Sequence, residues 1–427
     1  MLGDRILWIS PSPYLNTGFG KASRYMLQAL YEKGYDLALC DMQWVAYPRV
    51  VKRDELGFDA RVYPANRMEY ILRVIEEFKP HAVVALGSIW VEPYVSLAKI
   101  LKEKYPSVKV AYYAPIEYVT ISEYFMNILI GVHMAIFPSQ ISVKLFSNHM
   151  NPENLYYVPH GVDPKVFRKL KPEEMADVRD PDPMAFKYLF VARNNLRKEH
   201  AILMLAYRLL PRQIRKESIL LLFTPLQEVT PSANGFVPGW DIVRIARKYG
   251  VADRVVSYNI LAYPEWNLPD EELNKIYNLA DVYVHPSSGE GFGIPIVEAM
   301  AAERPVVATA NSAMLELCNH GEYCLMAEPQ GIQESWEGYM YTPTDAYDLS
   351  VKMEQIFLDS KLRTDLESKA RQRALEYTWD KAKSMMAKAV ERLFEIESRI
   401  ERFDPVVKPE DFGLVPSLRK YAERMRR

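Results

Sequence analysis

The chain has 427 residues, too many for one ordinary hydrophobic core, so at roughly 150 residues per domain two or three domains are expected. Its 53 Lys and Arg against 55 Asp and Glu leave a net charge of −2, giving no overall field to attract nucleic acid, and 49% hydrophobic residues exclude a disordered chain. Three cysteines, Cys40, Cys318 and Cys324, are odd in number and form no metal-like cluster, so reduced thiols in a cytoplasmic compartment are expected.

The start, MLGDRILWISPSPY, carries a short apolar run that reads as a first strand, Arg5 to Ser10, rather than a signal peptide. PSPYLNTGFG follows as a loop, then a helix from Lys21 to Glu32 with Tyr25, Met26, Ala29 and Leu30 on one face. Short apolar runs recur at Leu37 to Cys40, Ala82 to Leu86, Val108 to Tyr113, Met134 to Phe137 and Leu155 to Val158, with helical patterns such as Met68 to Phe78 between them. That alternation implies a parallel sheet covered on both faces. The stretch Ile128 to Phe137 is the nearest approach to a membrane span, but Gly131 and His133 break it well short of the ~20 residues needed. His133 and His160 read as structural.

RDPDP, Arg179 to Pro183, reads as a rigid linker. Its Asp180 and Asp182 form an Asp-x-Asp triplet, which two prolines mark as turn chemistry, so no metal is assigned. A second alternation runs through Lys187 to Arg193, Ile219 to Phe223, Arg254 to Tyr258, Asp281 to His285 and Pro305 to Thr309. Thr224 to Asp241 and Ile260 to Pro269 read as long loops. Beyond Leu362 the pattern is helical to about Arg402. The last nine residues, RKYAERMRR, form a basic tip able to meet anionic lipid.

Three stretches carry chemistry. TGFGKAS, Thr17 to Ser23, places Gly18 and Gly20 in a tight turn before a helix N-terminus, whose free amides attract phosphate. With Asp41 at a strand end, the same glycines imitate a dinucleotide fingerprint, although Ser23 stands at the third glycine position. VARNNLRKEH supplies Arg193 and Lys198, a planar fork and a point charge suited to a diphosphate, with Arg197 read as surface. HPSSGEGFGIPIVEAM, His285 to Met300, is a strand end, a glycine loop and a helix start with Pro295 in its first turn. Gly291 and Gly293 let backbone approach a ligand, while Glu290 and Glu298, eight apart, can serve two parts of one elongated ligand.

Glu290, GFGIP and Glu298, with LADVYVHPS before and AMAAERPVVAT after, resemble the E-x7-E motif of retaining, nucleotide-sugar-dependent glycosyltransferases of the GT-B fold, group 1 or family 4. The spacing of Arg193 and Lys198 resembles that family's diphosphate pair, and TGFGKAS and VPHGVDPKVF resemble its first loop and hinge. The resemblance implies two doubly wound, Rossmann-like parallel-sheet domains facing a cleft, with a C-terminal helix crossing back. Residues 1–180 would form the acceptor side, completed by about 380–427, and 181–379 the nucleotide-sugar side. Glu290, Arg193 and Lys198 would carry the chemistry. Gly18, Gly20, Gly291, Phe292, Gly293, Ile294 and Glu298 would bind the donor, with Glu298 on the ribose.

Many members carry a histidine after a middle strand of the first domain. Here YYAPIEYV has none, which leaves Glu117 as a substitute partner for the acceptor hydroxyl. The expected activity is retaining transfer from a UDP-, GDP- or ADP-sugar to a sugar, lipid-linked or protein acceptor, with no metal or cofactor. The expected location is the cytoplasm or the inner membrane face. The alternatives are an NAD-dependent oxidoreductase built on the first glycine loop, or a catalytically silent sugar-nucleotide-binding protein.

Overall fold

The computed structural model describes residues 3–43, 49–50, 56–64, 67–89, 92–232, 235–258, 268–335, 338–401 and 408–426. Continuous apolar runs dictate its layers. Ile6, Leu7, Trp8 and Ile9 of β1 (Arg5–Ser10) are fully buried, as a strand covered on both faces requires. β1 joins β2 (Asp36–Asp41), β3 (Arg49–Val50), β4 (Arg61–Pro64), β5 (Ala82–Leu86), β6 (Lys109–Tyr113), β7 (Met134–Phe137) and β8 (Leu155–Tyr157) in a sheet of order β3-β4-β2-β1-β5-β6-β7-β8. Neighbours are parallel except β3 and β4, two short strands at one end of the sheet, with β3 at its edge, that the apolar runs do not announce.

The second sheet contains β9 (Phe186–Val191) and β10 (Ser218–Phe223). Between it and the next strand, β11 (Val229–Ser232) and β12 (Gly235–Pro238) form an antiparallel hairpin inside the stretch expected to be a plain loop. Pro231, Pro238 and Gly235 hide these two strands from a reading based on apolar runs. β13 (Val255–Ser257), β14 (Val282–His285), β15 (Val306–Thr309) and β16 (Leu325–Ala327) complete the parallel order β13-β10-β9-β14-β15-β16. β17 (Gln333–Glu334) and β18 (Met340–Tyr341) form a small antiparallel pair. Of the loop expected at Ile260 to Pro269, residues 260–267 lie outside the described residues.

Each sheet reverses its strand order beside one strand, β1 in the first and β9 in the second. The loops that leave the C-terminal ends of β1, β9 and β14 therefore open at the switch points where ligands bind in open α/β sheets. The helix Trp379–Glu395 returns to the first sheet and packs on the helix Gly18–Glu32, with Tyr25 and Trp379 stacked at 4.5 Å between ring centroids. At the crossing, Val162 N–H donates to the Tyr377 carbonyl at 2.9 Å, and a Cβ at Gly161 would stand 2.5 Å from the Trp379 nitrogen.

The cysteine expectation is corrected. Cys318 and Cys324 form a disulfide, brought together because the turn Asn319–Gly321 folds the chain back at the end of the helix Ser312–Leu317, while Cys40 is a buried thiol. Among the described residues no helix is long and apolar enough to cross a membrane. The basic tip is the helix Arg419–Met425; its Ala422 and the preceding Leu418 pack with Phe412 and Val415 against Val119 of the first half and Ala310 and Leu315 of the second.

Candidate active site

β14 ends in His285, and the loop that follows reaches the helix Ile294–Ala301 through Gly293, whose φ of 102° suits glycine alone. Glu290 sits in this loop, its amide donating to Ser312 Oγ at 2.8 Å. Its carboxylate gathers three partners: Lys198 Nζ in direct contact with Oε1, His285 Nε2 2.8 Å from Oε1, and Arg197 Nη1 3.1 Å from Oε2. Burial opposes the charge, but Arg197, Lys198 and His285 outweigh it and hold the Glu290 carboxyl well below its ordinary range. Burial keeps the His285 imidazole below its usual pKa despite Glu290, so the ring is neutral. An ionised Glu290 can only accept, which puts the ring proton on Nε2 and leaves Nδ1 to accept from Tyr283 Oη at 2.8 Å.

The cations come from the loop after β9. Lys198 ends the short turn Leu196–Lys198, just before the helix His200–Leu209, and burial lowers its pKa against the pull of Glu290. Arg197, expected on the surface, is corrected: it lies between the two halves of the molecule. Its Nη2 is 2.6 Å from Glu117 Oε1, and its Nη1 also contacts the Gly289 carbonyl. Two carboxylates from opposite halves draw it in, which a single loop sequence cannot reveal. Arg193 takes the other direction. Its side chain is 52% exposed and its Nε donates to Glu228 at 2.8 Å, so the structure does not bring it to Glu290.

Glu117 follows β6, and burial raises its pKa against Arg197. Its loop lies directly on the glycine loop. A Cβ at Gly289 would stand 1.8 Å from the Glu117 carbonyl oxygen, and one at Gly291 would stand 2.4 Å from Pro115 Cβ. Val119 N–H donates to Met340 O of β18 at 2.9 Å, and Tyr339 stacks on Tyr118 at 3.5 Å between centroids. The loop that carries Glu117 is thus clasped from the second half on two sides.

Glu298 holds different partners. It is 2% exposed, with Lys21 Nζ 2.5 Å from Oε1 and Tyr277 Oη 2.9 Å from Oε2. Gly18 faces Ile294, with a Cβ there 3.6 Å from Ile294 Cδ1, and Gly20 leaves no room for a side chain because Leu15 O would be 2.0 Å away. Thr17 caps this helix by accepting from Gly20 N–H at 3.1 Å. The Phe292 ring turns inward to His160 and Tyr377, so it offers the loop its backbone rather than its ring.

Asp41, the acid of the dinucleotide alternative, accepts from Gln43 N–H at 2.8 Å. Asp180 pairs with Lys187 at 3.2 Å, and among the described residues no three His, Cys, Asp or Glu form a metal-like group. A depression of about 540 Å³ lined by Phe186, Lys187, Glu217 and Asp281 lies at the N-terminal ends of the strands and includes none of Glu290, Glu298, Arg197, Lys198 or Glu117. Sequence reasoning missed Lys21, Arg197, His285 and Tyr277 as site neighbours. The signal available for His285 was a histidine ending a buried strand one loop from Glu290, and for Lys21 a charge in the first turn after the glycines.

Residues 257–373 match the family Glycosyl transferases group 1. The serotype-specific mannosyltransferase WbdA of Escherichia coli is 27% identical over 199 residues, 47% of this chain and 21% of that protein. An Escherichia coli O-antigen chain mannosyltransferase B is 32% identical over 146 residues, 34% of this chain and 33% of that protein. The chain thus spans a fifth to a third of the length of these curated relatives. Sucrose-phosphate synthase from Thermosynechococcus elongatus superposes with a TM-score of 0.70 at 19% identity, over 92% of this chain and 99% of that one. Anabaena HepE, solved in complex with UDP and glucose, superposes with a TM-score of 0.67 at 16% identity, over 91% and 99%. Residues 257–373 thus carry the glycosyl transferases group 1 match, and the chain has the GT-B fold of the structures on which it superposes.

Proposed function

We propose that this chain is a retaining glycosyltransferase that moves a hexose from a nucleoside-diphosphate sugar to a hydroxyl acceptor. The observation that carries the reading is the ionised Glu290, held by Lys198, Arg197 and His285 on a glycine loop at the start of a helix. Such a carboxylate accepts from sugar hydroxyls, while the amides of Gly291 to Ile294 face the same ligand. Glu298 takes the ribose. Lys198 meets the charge that grows on the departing diphosphate, and Arg193 completes the pair after leaving Glu228. The departing phosphate and the attacking hydroxyl share one face of the sugar, and closure of the two halves keeps water from the donor. Glu117, across from Arg197, accepts a hydrogen bond from the acceptor hydroxyl.

The names of the relatives support a hexosyl donor, two being mannosyltransferases and one neighbour being solved with UDP and glucose. The boundary near residue 180 and the completion of the acceptor side by the returning helices belong to the same proposal. The test is product analysis. UDP-, GDP- and ADP-hexoses are offered with simple sugar and lipid-linked acceptors, and the anomeric configuration of the product is read by proton NMR. A product with the donor's configuration supports the reading; an inverted product contradicts it.

A further inference from the structure

Glu298 is the carboxylate that the donor reading gives to the ribose, yet both of its oxygens have partners. One is Tyr277, a neighbour in the same half; the other is Lys21, from the first turn of the helix Gly18–Glu32 in the opposite half. Lys21 is 3% exposed and has a second anion, Asp270, 2.8 Å from its ammonium. Asp270 opens the helix Asp270–Leu279. Two residues earlier, the Leu268 carbonyl accepts from Asn16 Nδ2 of the first glycine loop at 2.7 Å. One ammonium therefore joins the first glycine loop to the ribose carboxylate, with a partner in reserve.

We infer that Lys21 is a positioning residue that occupies Glu298 in place of the ribose diol and shifts onto Asp270 when the diol arrives. The inference rests on the nucleotide-sugar reading above. Tyr277 satisfies one oxygen of the buried Glu298 carboxylate, but a buried charge left without a cation is costly, and Lys21 supplies that cation on the other oxygen. When the two ribose hydroxyls donate to Glu298, the ammonium keeps a charge partner because Asp270 remains within reach. Ribose binding and release of the first glycine loop then become one event. A nucleotide lacking the diol binds without triggering that release.

The experiment compares Kd for UDP, GDP and ADP with Kd for their 2′,3′-dideoxy forms, by calorimetry, in wild type, Lys21→Met, Lys21→Arg and Asp270→Asn. In wild type the diol must displace Lys21, so the dideoxy penalty is small. In Lys21→Met there is nothing to displace, and the ratio of dideoxy to ribo Kd is expected to rise about tenfold over wild type. Lys21→Arg should keep the wild-type ratio. Asp270→Asn, which leaves the Lys21 to Glu298 pair but removes the reserve partner, should push the ratio towards one, and it carries the test should Lys21→Met not fold. An unchanged ratio in Lys21→Met, or an equal loss of affinity for both forms, would overturn the inference and make Lys21 a structural pillar. Failure of UDP, GDP and ADP alike to bind the wild type would overturn the donor reading itself, and this inference with it.

Discussion

Lys198→Ala is expected to lower kcat for sugar transfer by about 100- to 1,000-fold, the loss seen when one preorganised donor is removed from a developing oxyanion. Lys198 Nζ contacts Glu290 Oε1 directly, and burial lowers its pKa against the pull of that carboxylate. Without it, Glu290 keeps Arg197 and His285 and stays ionised, so the fold should survive with little change in melting temperature. Glu290→Ala should be as damaging, since it releases Arg197, Lys198 and His285 together. Steady-state rates with a radiolabelled donor, alongside a melting curve, check both variants. Near-wild-type transfer by both would remove these residues from the mechanism.

The second large effect is steric. Gly289→Ala would place a methyl group 1.8 Å from the Glu117 carbonyl oxygen, and since that atom is backbone, the two loops must part. Parting separates Arg197 from Glu117 and shifts that proposed acceptor partner from the glycine loop. A displacement of about 1 Å at a reacting centre can cost about 100-fold in rate, and that is the loss expected in kcat. Gly331→Ala is the control: a Cβ there meets nothing within 4 Å, and its activity should match wild type. Equal activity in the two variants would show that the loops need not touch during turnover.

The parallel sheets were legible because strands buried on both faces must be written as continuous apolar runs, as in AVVAL and VYVH. The short strands β3 and β4 and the hairpin of β11 and β12 were not, because very short strands and proline-bearing strands carry no such run. Glu290, Lys198 and Glu298 are candidates by their spacing in two motifs, and the structure brings Lys198 onto Glu290. Their partners are another matter. Arg197 meets Glu117 and Lys21 meets Glu298 across sequence separations of 80 and 277 residues, so each pairing depends on how the halves face one another. The direction taken by Arg193 was equally hidden, since Glu228, which holds it, lies beside a hairpin that the apolar pattern did not show. The disulfide escaped for a simpler reason: Cys318 and Cys324 are six apart, and only the turn between them decides whether their sulfurs meet.

The most direct test of a nucleotide-sugar site built on Glu290 and Lys198 is a thermal-shift panel of UDP, GDP, ADP and NAD, with EDTA in every well, on wild type and Lys198→Ala. The expected result is a raised melting temperature with a nucleoside diphosphate, lost in Lys198→Ala, which would also name the donor base. Stabilisation by NAD alone, or an equal shift in both proteins, would contradict it.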